Sequence, residues 1–410
     1  MEKPFQDGPL TGLRVLDLSR ILAGPTTAQV LGDLGADVIK IERPGRGDDT
    51  RGWGPPFLKD AAGNDTAESA YFLCANRNKR SVAVDIATES GQELLADIAA
   101  TSDILIENFK VGDLKRRGLD YETLRARNPG LIYCSVTGFG QDGPYAPRAG
   151  YDFLIQGMGG IMSITGAPDD EGGQPTKVGV GIADVMTGMY ATIGILSALR
   201  VRDQTGEGQH VDMALFDTQL SWLINQGLDH LTDGRVPQRR GNAHPAIVPY
   251  ETFPASDGWF IIAIGNDSQF RKFCIEAGRE DICDDPRFTA NRDRVTNRLE
   301  LLPLLHEVTK QRTQAEWIDA LAKVGAPAGP VNDIPAALND PQAVHRGAVV
   351  RQEHPVSATG YVETLGNPMK LSATPVTYRR PPPMVGQHTE EVLAELGFDA
   401  AKLRENGALG

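Results

Sequence analysis

The sequence predicts an α/β protein with a large domain on a Rossmann-like parallel sheet and a smaller α+β domain. Three observations predict this fold class. Short apolar strands alternate with helical segments through the first half of the chain, which is the pattern of parallel sheets. The 410 residues exceed what a single core usually organises. The pattern changes near residue 234, where glycine, proline and arginine become frequent.

The elements of the first half follow in order. Strands are predicted at 13–18, 37–41, 81–85, 104–107 and 131–136. Helices are predicted at 23–35, 91–100 and 113–127, and Pro25 suits the first turn of the first helix. Because helices separate short buried strands, we expect a parallel sheet covered on both faces.

The second half carries the smaller domain. A strand at 210–214 and a helix from about Phe216 complete the first part of the large domain. Residues 234–249 are predicted to be a linker or flap. Beyond them we predict a strand at 258–264 and helices at 268–277, 292–310, 315–324 and 389–396. The predicted boundaries are 1–225 for the large domain, 226–328 for the small domain with its linkers, and 329–410 for a segment that returns to the large domain.

Composition narrows the class of protein. Lys+Arg 41 against Asp+Glu 54 gives a net charge of -13, which argues against nucleic acid or an anionic membrane as partner. The four cysteines form no CxxC pair and are typical of reduced thiols. The N-terminus lacks the apolar core of a signal peptide, and no apolar run approaches membrane-spanning length. We therefore expect a cytoplasmic protein without a membrane segment.

Several common sites are excluded by their missing motifs. The first strand-to-helix turn, residues 17–25, contains no GxGxxG, and no GxxxxGK[ST] loop occurs. The seven histidines form no HExxH pattern, so no metal is expected, and no GxSxG elbow supports a serine nucleophile.

Basic residues form three clusters in the first domain. Two of the clusters follow predicted strand ends, where open α/β sheets bind ligands. Any one cluster alone is more typical of solvated surface, but together they favour a phosphorylated ligand. The clusters are Lys40/Arg43/Arg46/Arg51, Arg77/Lys79/Arg80 and Lys110/Lys115/Arg116/Arg117.

Asp184 is the only acid between residues 178 and 200, a stretch that becomes apolar on nearly every side. A buried carboxylate is costly unless it is paired or hydrogen-bonded. One interpretation is a helix N-cap. The other is a nucleophile beside a bound reactant, kept ionised by the positive end of the helix, with Gly179 and Gly181 allowing close approach. The residues leave both interpretations open.

At these residues the chain resembles the class III CoA transferases, the family of formyl-CoA and carnitine CoA transferases with α-methylacyl-CoA racemase as a sister branch. The resemblance covers nearly the whole length, and the order of the blocks makes it specific. The matching blocks are 12–25 (GLRVLDLSRILAGP), 31–53, 76–85 (NRNKRSVAVD), 102–124, 128–144, 181–199, 239–253 and 385–398.

The resemblance implies a mechanism and a set of contacts. Asp184 would attack an acyl-CoA and pass through a mixed anhydride to an aspartyl-CoA thioester, which an acceptor carboxylate then attacks. CoA would be a substrate, with no permanently bound cofactor, and the protein would be an interlocked homodimer. The positions resembling the family's CoA contacts are Ile21, Leu22, Ala23, Arg43, Asn108, Phe109, Lys110 and Arg116.

Two departures indicate the branch. The racemases carry Gly-His-Asp where this chain has Tyr151 before Asp152, and a tyrosine is a poor base at neutral pH, so transfer is favoured. The glycine flap of formyl-CoA transferase is replaced by RRGNAHPAIVPY at 239–250, a form closer to the succinyl-CoA:dicarboxylate branch. Tyr151, Asp152, Asn242 and His244 are candidates for the substrate pocket, and His244 also suits holding loop backbone. Racemization of a 2-methylacyl-CoA and CoA binding without turnover are the alternatives.

Overall fold

A computed structural model describes residues 7–409 of the chain. Within them lie thirteen strands: β1 Arg14–Asp17, β2 Asp37–Glu42, β3 Phe57–Lys59, β4 Asp65–Ser69, β5 Lys79–Ala83, β6 Ile104–Glu107, β7 Ile132–Thr137, β8 His210–Ala214, β9 Tyr250–Ala255, β10 Gly258–Ala263, β11 Ala328–Pro330, β12 Val349–Glu353 and β13 Tyr361–Leu365.

The same residues form eighteen α-helices, many of them short. They are α1 Ala23–Asp33, α2 Ala70–Leu73, α3 Glu89–Ala100, α4 Tyr121–Arg127, α5 Asp152–Met158, α6 Ile161–Ile164, α7 Ile182–Thr205, α8 Leu215–Ser221, α9 Ile224–Asp233, α10 Asp267–Glu276, α11 Glu280–Asp284, α12 Asn291–Thr296, α13 Arg298–Thr309, α14 Gln314–Val324, α15 Ile334–Leu338, α16 Pro341–His345, α17 Thr389–Glu395 and α18 Ala400–Glu405.

The described chain forms two compact units. The first contains the described residues up to Ile161, Val178–Gly227 and the residues from Gln342 onward, and the second contains Met162–Lys177 and Leu228–Pro341. The boundaries predicted at 225 and 328 stay predictions.

The first unit is organised by a six-stranded sheet in the order β5-β2-β1-β6-β7-β8. Every neighbouring pair is parallel. The prediction of a parallel sheet is therefore confirmed. Numbered along the chain within this sheet, the order is 3-2-1-4-5-6, which is the order of dinucleotide-binding doubly wound sheets. The order reverses between β1 and β6, so ligand-binding loops are expected at that point.

Both faces of this sheet are covered. Successive side chains of a strand point to opposite faces. Val15 belongs to an apolar cluster with Ala28 and Ile195, whereas the next residue, Leu16, belongs to a second cluster with Leu95. The near-continuous apolar strands of the sequence are explained by this two-sided burial.

Helix α7 corrects one expectation. It is long and apolar enough to cross a membrane by length and composition, although no run of that length was predicted from the sequence. Its Ala191, Ile195 and Ala198 are buried in the cluster that also contains residues of α1 and the sheet. The apolar composition of α7 is therefore partly explained by packing within the first unit.

Two predicted helices are wrong as single elements. The helix predicted over 113–127 is a short 3-10 turn, Lys115–Arg117, followed by α4. Gly118 separates them because its φ of 68° lies in the left-handed region, which ends a helix. The helix predicted over 292–310 is divided into α12 and α13 at Asn297.

The second unit has its own sheet and core. Strands β11, β10 and β9 form an antiparallel sheet in that order. Phe260 of this sheet, Phe273 and Trp317 are buried together in its apolar cluster. The buried Trp317 indole donates to the Thr309 carbonyl at 2.7 Å, so its polar atom is satisfied.

Candidate active site

A cavity of about 330 Å³ lies in the first unit at the carboxyl ends of the central strands. The loops that follow β1 and β6 form one side, so the cavity occupies the point where the strand order reverses. The lining residues are Arg20, Ile21, Leu22, Ala23, Asp49, Asn108, Phe109, Lys110, Val111, Asp113, Val136, Thr137, Gly138, Ala146, Arg148, Ala149, Gly150, Tyr151, Asp184 and Leu215.

The loop after β1 is held in a strained conformation. Ile21 has a φ of 75°, a region that non-glycine residues rarely adopt. The Asn108 side chain accepts from the Arg20 amide at 2.9 Å and donates to the Arg20 carbonyl at 2.6 Å. The Ile21 amide donates to Asp48 at 3.3 Å. These contacts offset a strain of about 1–3 kcal/mol and fix the cavity wall before a ligand arrives. Asn108 thus positions this loop as well as lining the cavity.

Most of the residues in two predicted basic clusters are structural, which corrects the phosphate-site interpretation for them. Lys40 donates to Asp48 at 3.0 Å and Lys79 to Asp17 at 3.0 Å, and all four side chains are fully buried. Arg51, Arg77 and Arg80 also form ion pairs with acids of the same unit. Their charges are neutralised inside the protein and are not offered to a ligand.

Asp184 is the third residue of α7, and the N-cap interpretation is wrong. The N-cap is Gly181, and the Asp184 carboxylate makes no capping hydrogen bond. Instead, Oδ1 of Asp152 accepts from the Ala183 amide at 2.7 Å and the Asp184 amide at 3.3 Å. A carboxylate from outside α7 therefore caps the helix, and the Asp184 carboxylate is left available at the cavity wall.

A close backbone approach brings Asp152 to this place. Gly138, directly after β7, lies against Gly150, and a Cβ on Gly138 would be 2.5 Å from the Gly150 Cα. Side chains at these two positions would push the loop outward, because real Cβ contacts are never that short. The pair of glycines fixes where α5 begins, and Asp152 is the first residue of α5.

Burial and charge act together on Asp184. Removal from water first, and the neighbouring Asp152 charge second, raise its pKa to about 7. The pKa of this carboxyl group is therefore above the ordinary range of an aspartate, although the helix end was expected to favour its ionised form. Among residues 7–409 no cation pairs with its carboxylate. Carboxylates with raised pKa values in clefts are frequent at functional sites.

The cavity brings together part of the predicted set. Ile21, Leu22, Ala23, Asn108, Phe109, Lys110, Tyr151 and Asp184 line it, and Asp152, the first residue of α5, caps α7 without lining the cavity. Arg43 follows β2 at an exposed position outside the lining, and the exposed Arg116 pairs with Asp113.

Asn242 and His244 belong to the second unit. The Asn242 amide donates to Thr252 at 3.1 Å, and the His244 ring accepts from the Ala246 amide at 3.1 Å. Burial lowers the pKa of His244 and Arg298 adds to the decrease. His244 thus holds loop backbone, which was one of its two predicted roles.

Sequence reasoning missed two residues here. Burial raises the pKa of Tyr71 to about 12, and the charges of Asp184, Cys74 and Asp152 contribute, which places the phenol in the electrostatic environment of Asp184. Its ring also contacts Trp53, with centroids 5.1 Å apart. Arg148 is an exposed cavity residue stacked 4.5 Å from the Tyr145 ring centroid. The signal available in the sequence was that Arg148 lies four residues before the candidate pocket residue Asp152.

Comparison with known proteins agrees with this geometry. The profile described as CoA-transferase family III matches residues 10–389. A succinate–glutarate CoA-transferase of Agrobacterium fabrum is 47% identical over 96% of this chain and 97% of its own length. A succinyl-CoA:glutarate CoA-transferase of Mus musculus is 40% identical over 95% of this chain and 86% of its own length.

A solved structure shows the same fold. The crystal structure of a CAIB/BAIF family protein from Brucella suis superimposes with a TM-score of 0.84 at 49% identity, covering 95% of this chain and all of that chain. The predicted family and the preference for transfer over racemization are confirmed by these relatives. The chain belongs to CoA-transferase family III and is a CoA transferase.

Proposed function

We propose that this enzyme moves CoA from succinyl-CoA, or a similar dicarboxylyl-CoA, to a second free dicarboxylate, with Asp184 as the nucleophile. An Asp184 oxygen attacks the thioester carbonyl and expels CoA thiolate, which forms a mixed anhydride. The thiolate then attacks the Asp184 carbonyl, releasing the donor acid and leaving an aspartyl-CoA thioester. The acceptor carboxylate repeats the two exchanges in reverse order, and Asp184 regains its carboxylate.

The placement of the Asp184 carboxylate is the observation that carries this proposal. It lines the cavity, and no donor or cation among residues 7–409 contacts it. A desolvated carboxylate without a partner is more nucleophilic than a hydrated or ion-paired one, because no solvent shell or cation has to be removed before attack. The first turn of α7 supplies the fixed geometry that such an attack requires.

Cations at the cavity support binding of an anionic thioester. Lys110 and Arg148 line it, and neither has a carboxylate partner within the described residues. At about 330 Å³ the cavity is at the small end of ligand pockets, so it suits the thioester end and the acyl group of a CoA substrate. Arg43 and Arg116, exposed on the same unit, remain our candidates for the CoA phosphates.

The substrate class follows from the relatives. Those at 47% and 40% identity are named for succinate or succinyl-CoA together with glutarate. Tyr151 lines the cavity and is 64% exposed. The racemases carry a histidine at this position, so in this chain the position has no imidazole to remove an α-proton as a racemase requires.

Product analysis tests the proposal. The protein is incubated with succinyl-CoA and glutarate, and the thioesters are measured by mass spectrometry. We expect glutaryl-CoA to appear as succinyl-CoA disappears. Deuterium entering Cα of a 2-methylacyl-CoA without a new thioester would instead establish racemization, and CoA binding with neither reaction would establish a binding protein.

We further infer a cytoplasmic homodimer of the interlocked type that the resemblance implies. Support comes from apolar side chains exposed on α7 and after it, including Ile193 at 58%, Val201 at 47% and Ile224 at 66%. Several large apolar side chains exposed on one long helix and after it are the kind of surface that a partner often covers. Analytical ultracentrifugation at micromolar concentration should give a dimer that persists on dilution, and a monomer would contradict it.

A further inference from the structure

We propose that Asp152 and Gln156 form a positioning pair that fixes the first turn of α7 and thereby aims the Asp184 carboxylate into the cavity. This inference rests on the proposed role of Asp184 as nucleophile. It also revises the assignment of Asp152 from a candidate substrate contact to a residue that acts through the helix.

The hydrogen bonds of Asp152 are used within the protein. Its Oδ1 accepts from the Ala183 and Asp184 amides at 2.7 and 3.3 Å, and its Oδ2 accepts from Nε2 of Gln156 at 2.7 Å. Both oxygens are therefore engaged, and Asp152 does not line the cavity. A carboxylate in this arrangement holds backbone rather than substrate.

Gln156 holds the chain that leads into α7. Its side chain is completely buried. Oε1 accepts from the Val178 amide at 2.9 Å, and Nε2 also approaches the Val180 carbonyl at 3.4 Å. One side chain thus joins Asp152 to residues 178–180, just before the N-cap Gly181. Because α5 carries both Asp152 and Gln156, one turn apart, the start of α7 is fixed against a single rigid element.

The pair also acts on Asp184 through charge. Two titratable groups face the Asp184 carboxylate, Asp152 from α5 and Tyr71 from α2. Beyond the effect of burial, the charge of Asp152 raises the pKa of Asp184, and the charges of Asp184 and Asp152 in turn raise the pKa of Tyr71. Asp152 therefore contributes position by hydrogen bonds and reactivity by repulsion, and the two contributions are separable by substitution.

The test uses three variants of the full-length protein with steady-state kinetics over pH. Asp152→Asn keeps size but removes the charge and places an amide against Gln156. Gln156→Met keeps length and the Asp152 charge but removes the hydrogen bonds. Asp399→Asn is the matched control. Asp399 Oδ1 accepts from two backbone amides at the start of α18, at 3.0 and 3.2 Å, as Asp152 Oδ1 does at α7, but Asp399 is distant in the sequence from Asp184.

We expect Asp152→Asn and Gln156→Met each to lower kcat by about 10- to 100-fold with KM for succinyl-CoA changed by less than about twofold. Only Asp152→Asn should move the acid limb of the kcat profile, by up to about one unit to lower pH. Asp399→Asn should change neither.

A structural readout accompanies the kinetics. Amide hydrogen exchange of the peptide containing Ala183 and Asp184 should accelerate in both site variants and not in Asp399→Asn. Wild-type kcat and exchange in Gln156→Met would overturn the proposal even if Asp152→Asn fails to fold, and a change confined to KM would make Asp152 a substrate contact. Failure of the nucleophile assignment is distinguished separately, since Asp184→Asn would then keep its activity.

Discussion

Two groups of charges in the first unit, one fully buried and one half-buried, respond to desolvation in opposite ways. Beneath the loop after β1, the carboxylates of Asp17 and Asp48 alternate with the ammonium groups of Lys79 and Lys40. At the start of α7, Asp152 and Asp184 are neighbouring acids with no cation beside Asp184 among the described residues. Desolvation acts to raise the pKa of an acid in both places, and among the described residues only the acids of the first group have a cation that lowers it again.

The pKa values record that difference. Burial alone would raise the pKa of Asp48, but Lys40 and the hydrogen bonds from Thr50 lower it to about 2. Burial raises the pKa of Asp184 to about 7, and its one charged neighbour adds to the increase. Compensated charges hold the loop of the cavity wall in place, whereas the uncompensated carboxylate is the one available for chemistry.

Removing the uncompensated charge should have the largest effect. Asp184→Asn keeps the shape of the side chain but has no anionic oxygen for attack, so turnover of succinyl-CoA with glutarate should fall by about 10³-fold or more. Isothermal titration should show CoA binding within about twofold of the wild type. Near-normal turnover in a folded Asp184→Asn variant would remove it from the mechanism.

Breaking the compensated group should instead affect stability. Lys40→Met leaves Asp48 buried without its cation, which costs about 3–5 kcal/mol in the free energy of unfolding. The matched control is Lys59→Met, because Lys59 pairs with Asp65 at 2.6 Å where both side chains are 55% exposed. Exposed pairs contribute about 0–1 kcal/mol. Equal losses in urea unfolding for the two variants would contradict the assignment.

The two groups should also differ in how stability depends on pH. For Asp184 the folded pKa is raised to about 7 from an ordinary value of 3.8, so between these values the folded state binds the extra proton and loses stability as pH rises. Asp184→Asn should therefore gain on the order of 1 kcal/mol relative to the wild type between pH 4 and pH 8, after allowance for solvent screening.

For Asp48 the sign is reversed. Its folded pKa is lowered to about 2 from 3.8, so its contribution is present above pH 3.8 and is lost as pH falls through 2. Urea unfolding of the wild type and Asp184→Asn at pH 4 and pH 8 measures the effect predicted for Asp184. A pH-independent difference would show that Asp184 titrates normally.

The smallest expected effects concern exposed cations. Arg43→Ala, Lys110→Ala and Arg148→Ala should each raise KM for succinyl-CoA at low salt about two- to fivefold with little change in kcat, because exposed ionic contacts are screened. Arg125→Ala is the control, since Arg125 is an exposed arginine that pairs with Glu207 at 3.3 Å outside the cavity lining. An unchanged KM would exclude the arginine or lysine concerned from the CoA site.

Local sequence patterns predicted the scaffold well. The apolar strands and the helices between them identified the parallel sheet, since two-sided burial leaves a near-continuous apolar signal. Ile21 and Asn108, which line the cavity, were identified by the family resemblance and not by this pattern. Asp184 was conspicuous because it is an isolated acid in an apolar stretch.

What failed depends on partners distant in the chain. The cap of α7 comes from Asp152, 32 residues before Asp184, and no local pattern distinguishes that from a self-capping aspartate. The basic clusters looked available because their acids are remote: Asp17 is 62 residues from Lys79, and Asp33 is 44 residues from Arg77. Pairing of that kind is decided by the fold.

Covalent trapping tests the central claim most directly. The wild-type protein is incubated with succinyl-CoA in the absence of an acceptor, and intact mass and peptide mapping are recorded with Asp184→Asn in parallel. We predict a CoA-sized adduct on the peptide containing Asp184, conversion of that adduct to a hydroxamate by hydroxylamine, and no adduct in Asp184→Asn. An adduct on another residue, or one that persists in Asp184→Asn, would contradict the account.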